Sequence, residues 1–200
     1  MALNPRTRQI VLPLAVFLVG LLALGAAAWT LFPPSGAQRQ AGAASVGGPF
    51  ALVDQNGRTV TERDVAGAPH LVFFGFTRCP DICPTKLFEV SEVLRASGAA
   101  GRSLRALFIT VDPERDTPEV LKSYLGSFDD RILGLTGPPE AVQAAIKAFR
   151  AYARKVPLEG GDYTMEHTAI VYLMDAKGRF VGALNLDRPP AAVAADLLRS

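Results

Sequence analysis

The sequence predicts an α/β fold, a thioredoxin-like sandwich, preceded by one N-terminal transmembrane helix. Ile10–Phe32 is a run of 23 residues without a charge, and an α-helix needs about 20 apolar residues to cross a bilayer. His70–Phe76 and Leu104–Val111 are continuous apolar runs, typical of buried strands. A helical pattern or a helix-start signal follows each of them, so strands and helices alternate. That order indicates a central mixed sheet with helices on its faces.

The N-terminal segment is interpreted as a retained membrane anchor. Arg6 and Arg8 precede the apolar run, and the first 46 residues contain no acid. The positive-inside bias therefore keeps residues 1–9 in the cytoplasm and exports the rest. A cleaved signal peptide is the alternative, but its apolar region normally has only about 7–15 residues. We expect a single-pass protein of the cell inner membrane, with its C-terminal domain on the periplasmic side.

Two further segments follow the predicted anchor over residues 10–32. Residues 33–48 lack apolar periodicity and are interpreted as a flexible linker. Residues 49–200 are predicted to form the folded domain, and about 150 residues suffice for one domain with its own core.

Seven strands are predicted from short apolar runs that lie between turn residues. Asn56-Gly57 predicts a tight hairpin turn, and the segment from Asp175 to Gly178 predicts a second turn, with glycine where φ is positive. In chain order the predicted strands are Phe50–Val53, Arg58–Val60, His70–Phe76, Leu104–Val111, Ile132–Leu135, Ala169–Met174 and Arg179–Leu184.

Four helices are predicted from apolar residues at helical spacing and from start signals. Thr117 followed by Pro118 fits an N-cap and a first helical residue. In chain order the predicted helices are Pro84–Ser97, the helix that Thr117 opens, Glu140–Tyr152 and Pro190–Leu198.

Composition and charge exclude several classes of protein. After Arg6, Arg8 and Arg39, the rest of the chain carries 18 basic and 19 acidic residues, so the domain is nearly neutral. The absence of a basic patch argues against a nucleic-acid partner. Only two cysteines are present, which excludes a disulfide-rich scaffold.

Both cysteines lie where an α/β fold would place a functional site. Cys79 and Cys83 follow a buried strand and precede a helix, and ligands of such folds bind at the carboxyl ends of sheet strands. A helix N-terminus favours the thiolate, which is the metal-binding form. The i, i+4 spacing places both sulfurs on one face, where they could form a disulfide or hold one soft ion. A purely structural disulfide is the alternative, but it would close only a very short loop.

A third donor would have to be a histidine, and the chain has two. His167 is predicted in a loop that faces the cysteines, either as a third ligand or as an ordinary loop histidine. His70 opens a predicted strand and is interpreted as a surface or edge residue. Two cysteines and one histidine suit copper better than structural zinc, which takes four ligands, and thiolates favour Cu(I). Met165 lies two residues before His167; a methionine at such a position is more often a packing residue, and a thioether ligand is the alternative.

Three separated motifs resemble those of the Sco/SenC family of membrane-tethered copper proteins. FFGFTRCPDICP at Phe73–Pro84 is similar to the metal motif of that family, VDPERDTP at Val111–Pro118 to a second signature, and the segment Val156–Phe180 to its histidine region. The similarity covers about residues 47–198. It implies a thioredoxin-like fold and delivery of copper to the CuA centre of cytochrome c oxidase subunit II.

The resemblance also implies roles for individual residues. Cys79, Cys83 and His167 match the copper ligands of the family, with Cys79 and Cys83 also forming a redox-active disulfide. Asp81 matches the family between the cysteines, and Asp112 is a weaker accessory candidate in the second motif. The family often has histidine where this chain has arginine at position 78, which is not a ligand position.

Three functions are compatible with these residues. The first is a copper metallochaperone without enzymatic activity, whose partners are the oxidase subunit and another periplasmic copper chaperone or thioredoxin-like reductase. The second is a thiol–disulfide oxidoreductase that keeps the copper-ligand cysteines of the oxidase reduced. The third, a peroxidase or redox sensor, has the least support. Thioredoxin-type reductases usually carry Cys-x-x-Cys and a proline in the facing loop, whereas Asp162–Asp187 contains none, which favours the first function.

Overall fold

A computed structural model describes residues 46–199 of the protein and, ahead of them, the isolated residue Leu22. Apart from Leu22, the predicted cytoplasmic segment and anchor lie outside the described residues, as does the predicted linker up to residue 45. None of the helices in the described ranges combines the length and the hydropathy needed to span a membrane. The described part of the predicted linker contacts the domain, because the Gly47 amide donates to the Ala148 carbonyl at 3.0 Å.

The described domain is built on a seven-stranded mixed sheet, as predicted. The strands are β1 (Ala51–Asp54), β2 (Thr59–Thr61), β3 (His70–Gly75), β4 (Arg105–Thr110), β5 (Ile132–Thr136), β6 (Ala153–Pro157), β7 (Tyr163–His167), β8 (Val171–Met174) and β9 (Phe180–Ala183). The seven strands of the main sheet lie in the order β2-β1-β5-β4-β3-β8-β9, with β3, β4 and β5 parallel and the outer pairings antiparallel. A separate two-stranded antiparallel sheet pairs β6 with β7.

Four α-helices connect and cover the strands. They are α1 (Ile82–Ala96), α2 (Pro118–Leu125), α3 (Pro139–Ala148) and α4 (Pro190–Leu197). Helix α1 packs against α4, while α2 contacts β5 and α3 contacts β1. Thr117 caps α2 as predicted, because its hydroxyl accepts from the Val120 amide at 3.4 Å. The apolar faces of all four helices join the central strands in one core, which gives the α/β thioredoxin-like fold that the sequence predicts.

The predicted helices and strands agree with this structure except between residues 149 and 167, after the end of α3. Every residue of β3 is buried, and the hairpin of β1 and β2 turns at Asn56-Gly57, with Gly57 at φ 80°. The predicted helix Glu140–Tyr152 is too long: α3 ends at Ala148, and Arg150 takes a φ of 54°, which a continuing helix excludes. Strands β6 and β7 were not predicted, because their half-exposed and charged sequences lack an apolar run.

Candidate metal centre

The two cysteines lie at the carboxyl end of the central strand β3, where the chain turns into α1. The Cys79 amide donates to the Phe76 carbonyl at 3.2 Å, which closes the turn. Cys83 lies in the first turn of α1, and its amide donates to the Cys79 sulfur at 3.3 Å. Cys79 is half-buried and Cys83 is fully buried, and neither forms a disulfide. One sulfur therefore faces the opening of the site and the other forms its floor.

Packing fixes the position of the buried sulfur. A Cβ atom added to Gly75 would lie 2.8 Å from the Cys83 sulfur and 2.6 Å from Cε2 of Phe108. Both distances are shorter than a van der Waals contact, so only glycine at position 75 leaves room for this sulfur.

His167 completes the group, at the last residue of β7 rather than in the loop that the sequence predicts. Its Nε2 atom lies 3.6 Å from the Cys83 sulfur. Its Nδ1 atom lies 3.0 Å from the Thr168 carbonyl, which identifies Nδ1–H as the donor and leaves the Nε2 lone pair facing the sulfur. Phe73 and Phe76 contact the imidazole edge to face, so aromatic packing holds the ring in this orientation.

The geometry of these three side chains suits a metal ion. The ligand atoms of Cys79, Cys83 and His167 all lie within 4.8 Å of one another. Metal–sulfur and metal–nitrogen bonds of about 2.3 and 2.0 Å, the lengths known for Zn²⁺, would span the 3.6 Å between Cys83 and His167 at an angle of roughly 115°. An ion of that size could be bound by three ligands without a large movement of the backbone.

Burial favours the neutral forms of Cys83 and His167 before an ion binds. It raises the pKa of the Cys83 thiol and lowers the pKa of the His167 imidazole, because it penalises the charged form of each group. The prediction that the helix N-terminus favours the thiolate is wrong for Cys83, where desolvation outweighs the helix. A neutral thiol beside a neutral imidazole donates an S–H···N hydrogen bond, and a metal ion must displace that proton.

The accessory candidates and the second histidine lie apart from this group. Asp81 is exposed at the N-cap position of α1, where its side chain makes no capping hydrogen bond. Asp112 is buried in an ion pair with Arg115. His70 is also buried, with Nδ1 3.3 Å from the Ala68 carbonyl. The prediction of a surface or edge position for His70 is wrong, because β3 lies between β4 and β8.

Sequence reasoning did not identify Asp116 as part of the support of the site. This carboxyl is fully buried and accepts hydrogen bonds from the Thr77 amide at 3.1 Å, the Thr77 hydroxyl at 2.6 Å and the Thr110 hydroxyl at 2.6 Å. Because Thr77 begins the turn that carries Cys79, these bonds join the turn to the end of β4. Burial raises the pKa of Asp116. Asp116 belongs to the second motif, at Val111–Pro118, where the sequence pattern indicates mainly the start of a helix.

Tyr163 was also not predicted, and it attaches the β6–β7 hairpin to the main domain. The Arg115 guanidinium lies 3.6 Å and the Lys155 ammonium 3.9 Å from the centre of its ring. Its hydroxyl donates to Asp112 at 2.9 Å. Because the same hairpin ends at His167, these contacts help to place the third donor opposite the two cysteines.

An open cavity of about 310 Å³ leads to the site. Cys79 and His167 line it together with Phe76, Ile82, Tyr152 and Met165. Glu166, at the rim, is paired with Arg154 at 2.8 Å. The walls are mainly apolar, so an approaching ion meets few donors besides the sulfur atoms and the imidazole.

Comparison with known proteins places the whole domain in one family. The family model described as SCO1/SenC matches residues 38–200. The chain is 45% identical over 151 residues to "Protein SCO1, mitochondrial" of Saccharomyces cerevisiae, an alignment that covers 74% of this chain and 51% of the yeast protein. A second alignment covers 42% of an Arabidopsis thaliana homologue. The chain therefore spans about half the length of these two curated relatives.

Solved structures agree with the family match. ScoI of Bradyrhizobium japonicum with copper bound is 56% identical, with a TM-score of 0.76, and the match covers 78% of this chain and 99% of that one. BsSco, described as having a disulfide switch and as a member of the Sco family of cytochrome c oxidase assembly proteins, is 27% identical with a TM-score of 0.60. That match covers 76% of this chain and 91% of BsSco.

Proposed function

The chain belongs to the SCO1/SenC family, and from this membership we propose that it is a membrane-tethered copper metallochaperone. It binds one copper ion through Cys79, Cys83 and His167 and delivers it to the CuA site of cytochrome c oxidase subunit II. The observation that carries the proposal is the clustering of these three donors within 4.8 Å. The similarity to a copper-bound ScoI and to a family of oxidase assembly proteins supports it.

The donor set matches the requirements of a copper carrier. Copper is the cargo, so the site must bind it selectively and also release it. Two sulfur donors favour the soft Cu(I) ion, and one imidazole adds a third bond without further charge. Three protein ligands leave a coordination position open, through which an incoming ligand of the acceptor can begin the exchange. Uptake replaces the protons of the thiols, which pass to solvent.

The proposal is tested by measuring copper bound to the full-length protein in detergent, reduced and loaded with Cu(I). We expect one equivalent in the native protein, none retained by Cys79→Ser or Cys83→Ser, and strongly weakened binding by His167→Ala. His70→Gln is the matched control, because it removes the other histidine and should leave copper binding unchanged. One equivalent of tightly bound copper in a folded Cys83→Ser variant would refute the assignment of the ligands.

A second function, thiol–disulfide exchange with the copper-ligand cysteines of the oxidase, is supported by the free thiols of the pair and by the disulfide switch described for BsSco. The same two sulfurs serve both functions, so an oxidised sample should bind no copper until it is reduced. His167→Ala separates the functions, since dithiol exchange needs only the sulfurs. Full assembly of the oxidase in a His167→Ala strain at limiting copper would favour the thiol reductase.

We also propose that the domain is held on the periplasmic side of the inner membrane. Residues 10–32 would be the anchor and residues 33–48 the predicted linker. Because Gly47 bonds to the domain, the free tether would be residues 33–46, and 14 residues have a root-mean-square span of roughly 19–22 Å. The domain could then reach the oxidase subunit and a periplasmic copper donor or thioredoxin-like reductase. A reporter fused after Ser200 should be active only outside the cytoplasm. Cytoplasmic activity would contradict both the orientation and the partner.

A further inference from the structure

Met165 lies on the same face of β7 as His167 and lines the same cavity as Cys79. Alternate residues of a strand share a face, and the pairing of Met165 with Lys155 and of His167 with Ala153 places both residues on one side of the hairpin. Met165 is half-buried and packs against the core. Met165 therefore belongs to the wall that an ion passes on its way to His167.

An ion reaches the candidate site from the side of the cavity that Met165 lines. The Cys83 sulfur is fully buried, whereas Cys79, Met165 and His167 are half-buried and line the cavity. An ion from solvent must meet the cavity wall before it reaches Cys83. Among the cavity residues that the structure describes, Met165 supplies a thioether, a soft donor that carries no proton to displace.

From these observations we propose that Met165 is a relay ligand for cuprous ion, bound transiently during uptake and release; this role rests on the proposed copper-carrier function. In release, the bond between copper and His167 Nε2 breaks as a bond to Met165 Sδ forms. Donor atoms of the acceptor then replace the two cysteine sulfurs and finally Met165 on the ion, and the freed thiolates take up protons from solvent. Uptake follows the reverse order. Copper remains Cu(I) throughout, and the thioether neither gains nor loses a proton.

Transfer rates distinguish a relay ligand from a residue that only packs. A transient ligand changes the rates of uptake and release together, so the equilibrium affinity stays nearly constant. A thioether binds soft Cu(I) far better than Cu(II), so the effect should be confined to the cuprous ion. Leucine has nearly the volume of methionine and keeps the packing, which makes Met165→Leu the suitable variant.

The test uses full-length protein in detergent and stopped-flow transfer of Cu(I) to bathocuproine disulfonate, with Cu(II) transfer to EDTA as the parallel measurement. Met165→Leu should slow Cu(I) uptake and release by about fivefold or more, a barrier increase of about 1 kcal/mol, with an unchanged affinity and unchanged Cu(II) rates. Met174→Leu is the matched control, because Met174 is buried in the core at the opposite end of β3.

A second measurement is independent of the variant. When Ag(I), a redox-inert substitute for Cu(I), is added to His167→Ala protein, the Met165 methyl signal in the NMR spectrum should shift, while that of Met174 should not. Native Cu(I) rates in Met165→Leu, equal slowing of Cu(I) and Cu(II), or an unshifted Met165 methyl would each overturn the relay. Such results in a protein that still binds one copper would leave the carrier function intact, whereas a native protein that binds no copper would refute both.

Discussion

Replacing Gly75 by alanine should displace the buried sulfur of Cys83 and so weaken metal binding, although none of the three candidate ligands is changed. The new Cβ atom would lie 2.8 Å from the Cys83 sulfur and 2.6 Å from Cε2 of Phe108. To restore both contacts to at least 3.4 Å, the sulfur must move away by about 0.6 Å and the phenyl ring by about 0.8 Å. Phe108 is fully buried and packs against Phe73 and Tyr124. Because its ring has little room to move, the new Cβ atom is pushed toward the sulfur, and the sulfur is displaced further.

The expected magnitude follows from the tolerance of metal sites. Overpacking a core typically costs about 1–3 kcal/mol of unfolding free energy. Metal–ligand distances tolerate only about 0.2 Å, and disturbing the support of a metal ligand typically lowers affinity by about 10–100-fold. Gly75→Ala should therefore bind Cu(I) at least about tenfold more weakly while it still folds.

The matched control is Gly134→Ala, which crowds the same sheet away from the cysteines. There the added Cβ atom would lie 2.5 Å from Cδ1 of Leu125 in α2. Thermal unfolding should show a similar loss of stability in both variants, and competition with a Cu(I) chelator should show weakened affinity in Gly75→Ala alone. Equal copper affinity in Gly75→Ala and native protein would refute the argument that Gly75 positions the sulfur.

Three further predictions concern protonation and support of the site. Because burial lowers the pKa of His167, protonation of this imidazole should begin to reduce Cu(I) affinity only below the reference value of about 6.5. Chelator competition across pH should show that His167→Ala loses this part of the pH dependence. The same loss of affinity in acid in that variant would contradict the prediction. Thr77→Val removes a hydroxyl that donates to Asp116 at 2.6 Å, so chemical denaturation should show a loss of about 1–2 kcal/mol, and an unchanged midpoint would contradict a role for this bond. Burial also lowers the pKa of His70, so on acidification the unfolded chain binds a proton at this histidine before the folded chain does. The free energy of unfolding should therefore decrease below about pH 6.5, by up to about 1.4 kcal/mol per pH unit, until the pH reaches the pKa of the folded state. An equal decrease in His70→Gln would assign the effect to other groups.

The central sheet was predictable because its strands are chemically uniform. β3 and β4 are buried on both faces between helices, so nearly every residue is apolar and the pattern is visible without a partner. The caps and turns were predictable for a similar reason, since Thr117 and Asn56-Gly57 act through local backbone geometry alone. The cysteine pair followed from its position between such a strand and a helix.

The β6–β7 hairpin could not be predicted because its stability is tertiary. Its strands carry mostly polar residues, and the contacts that hold it lie far apart in the chain. Tyr163 packs on Arg115 and donates to Asp112, about 50 residues earlier. The protonation of Cys83 was equally inaccessible, because the helix N-terminus is visible in the sequence while the burial that outweighs it depends on the whole fold.

The three side chains of the candidate site come from two parts of the fold, and different contacts hold each part in place. Cys79 and Cys83 belong to the central sheet and α1, where Asp116 ties their turn to β4. His167 belongs to a separate small sheet, which Tyr163 joins to the loop after β4. If His167 ligates copper as proposed, a small movement of that sheet would lengthen the bond from copper to His167 and leave both sulfurs in place. Under the proposed carrier function, such a movement would weaken the binding of copper through one ligand while two thiolates retain the ion, which would assist its release.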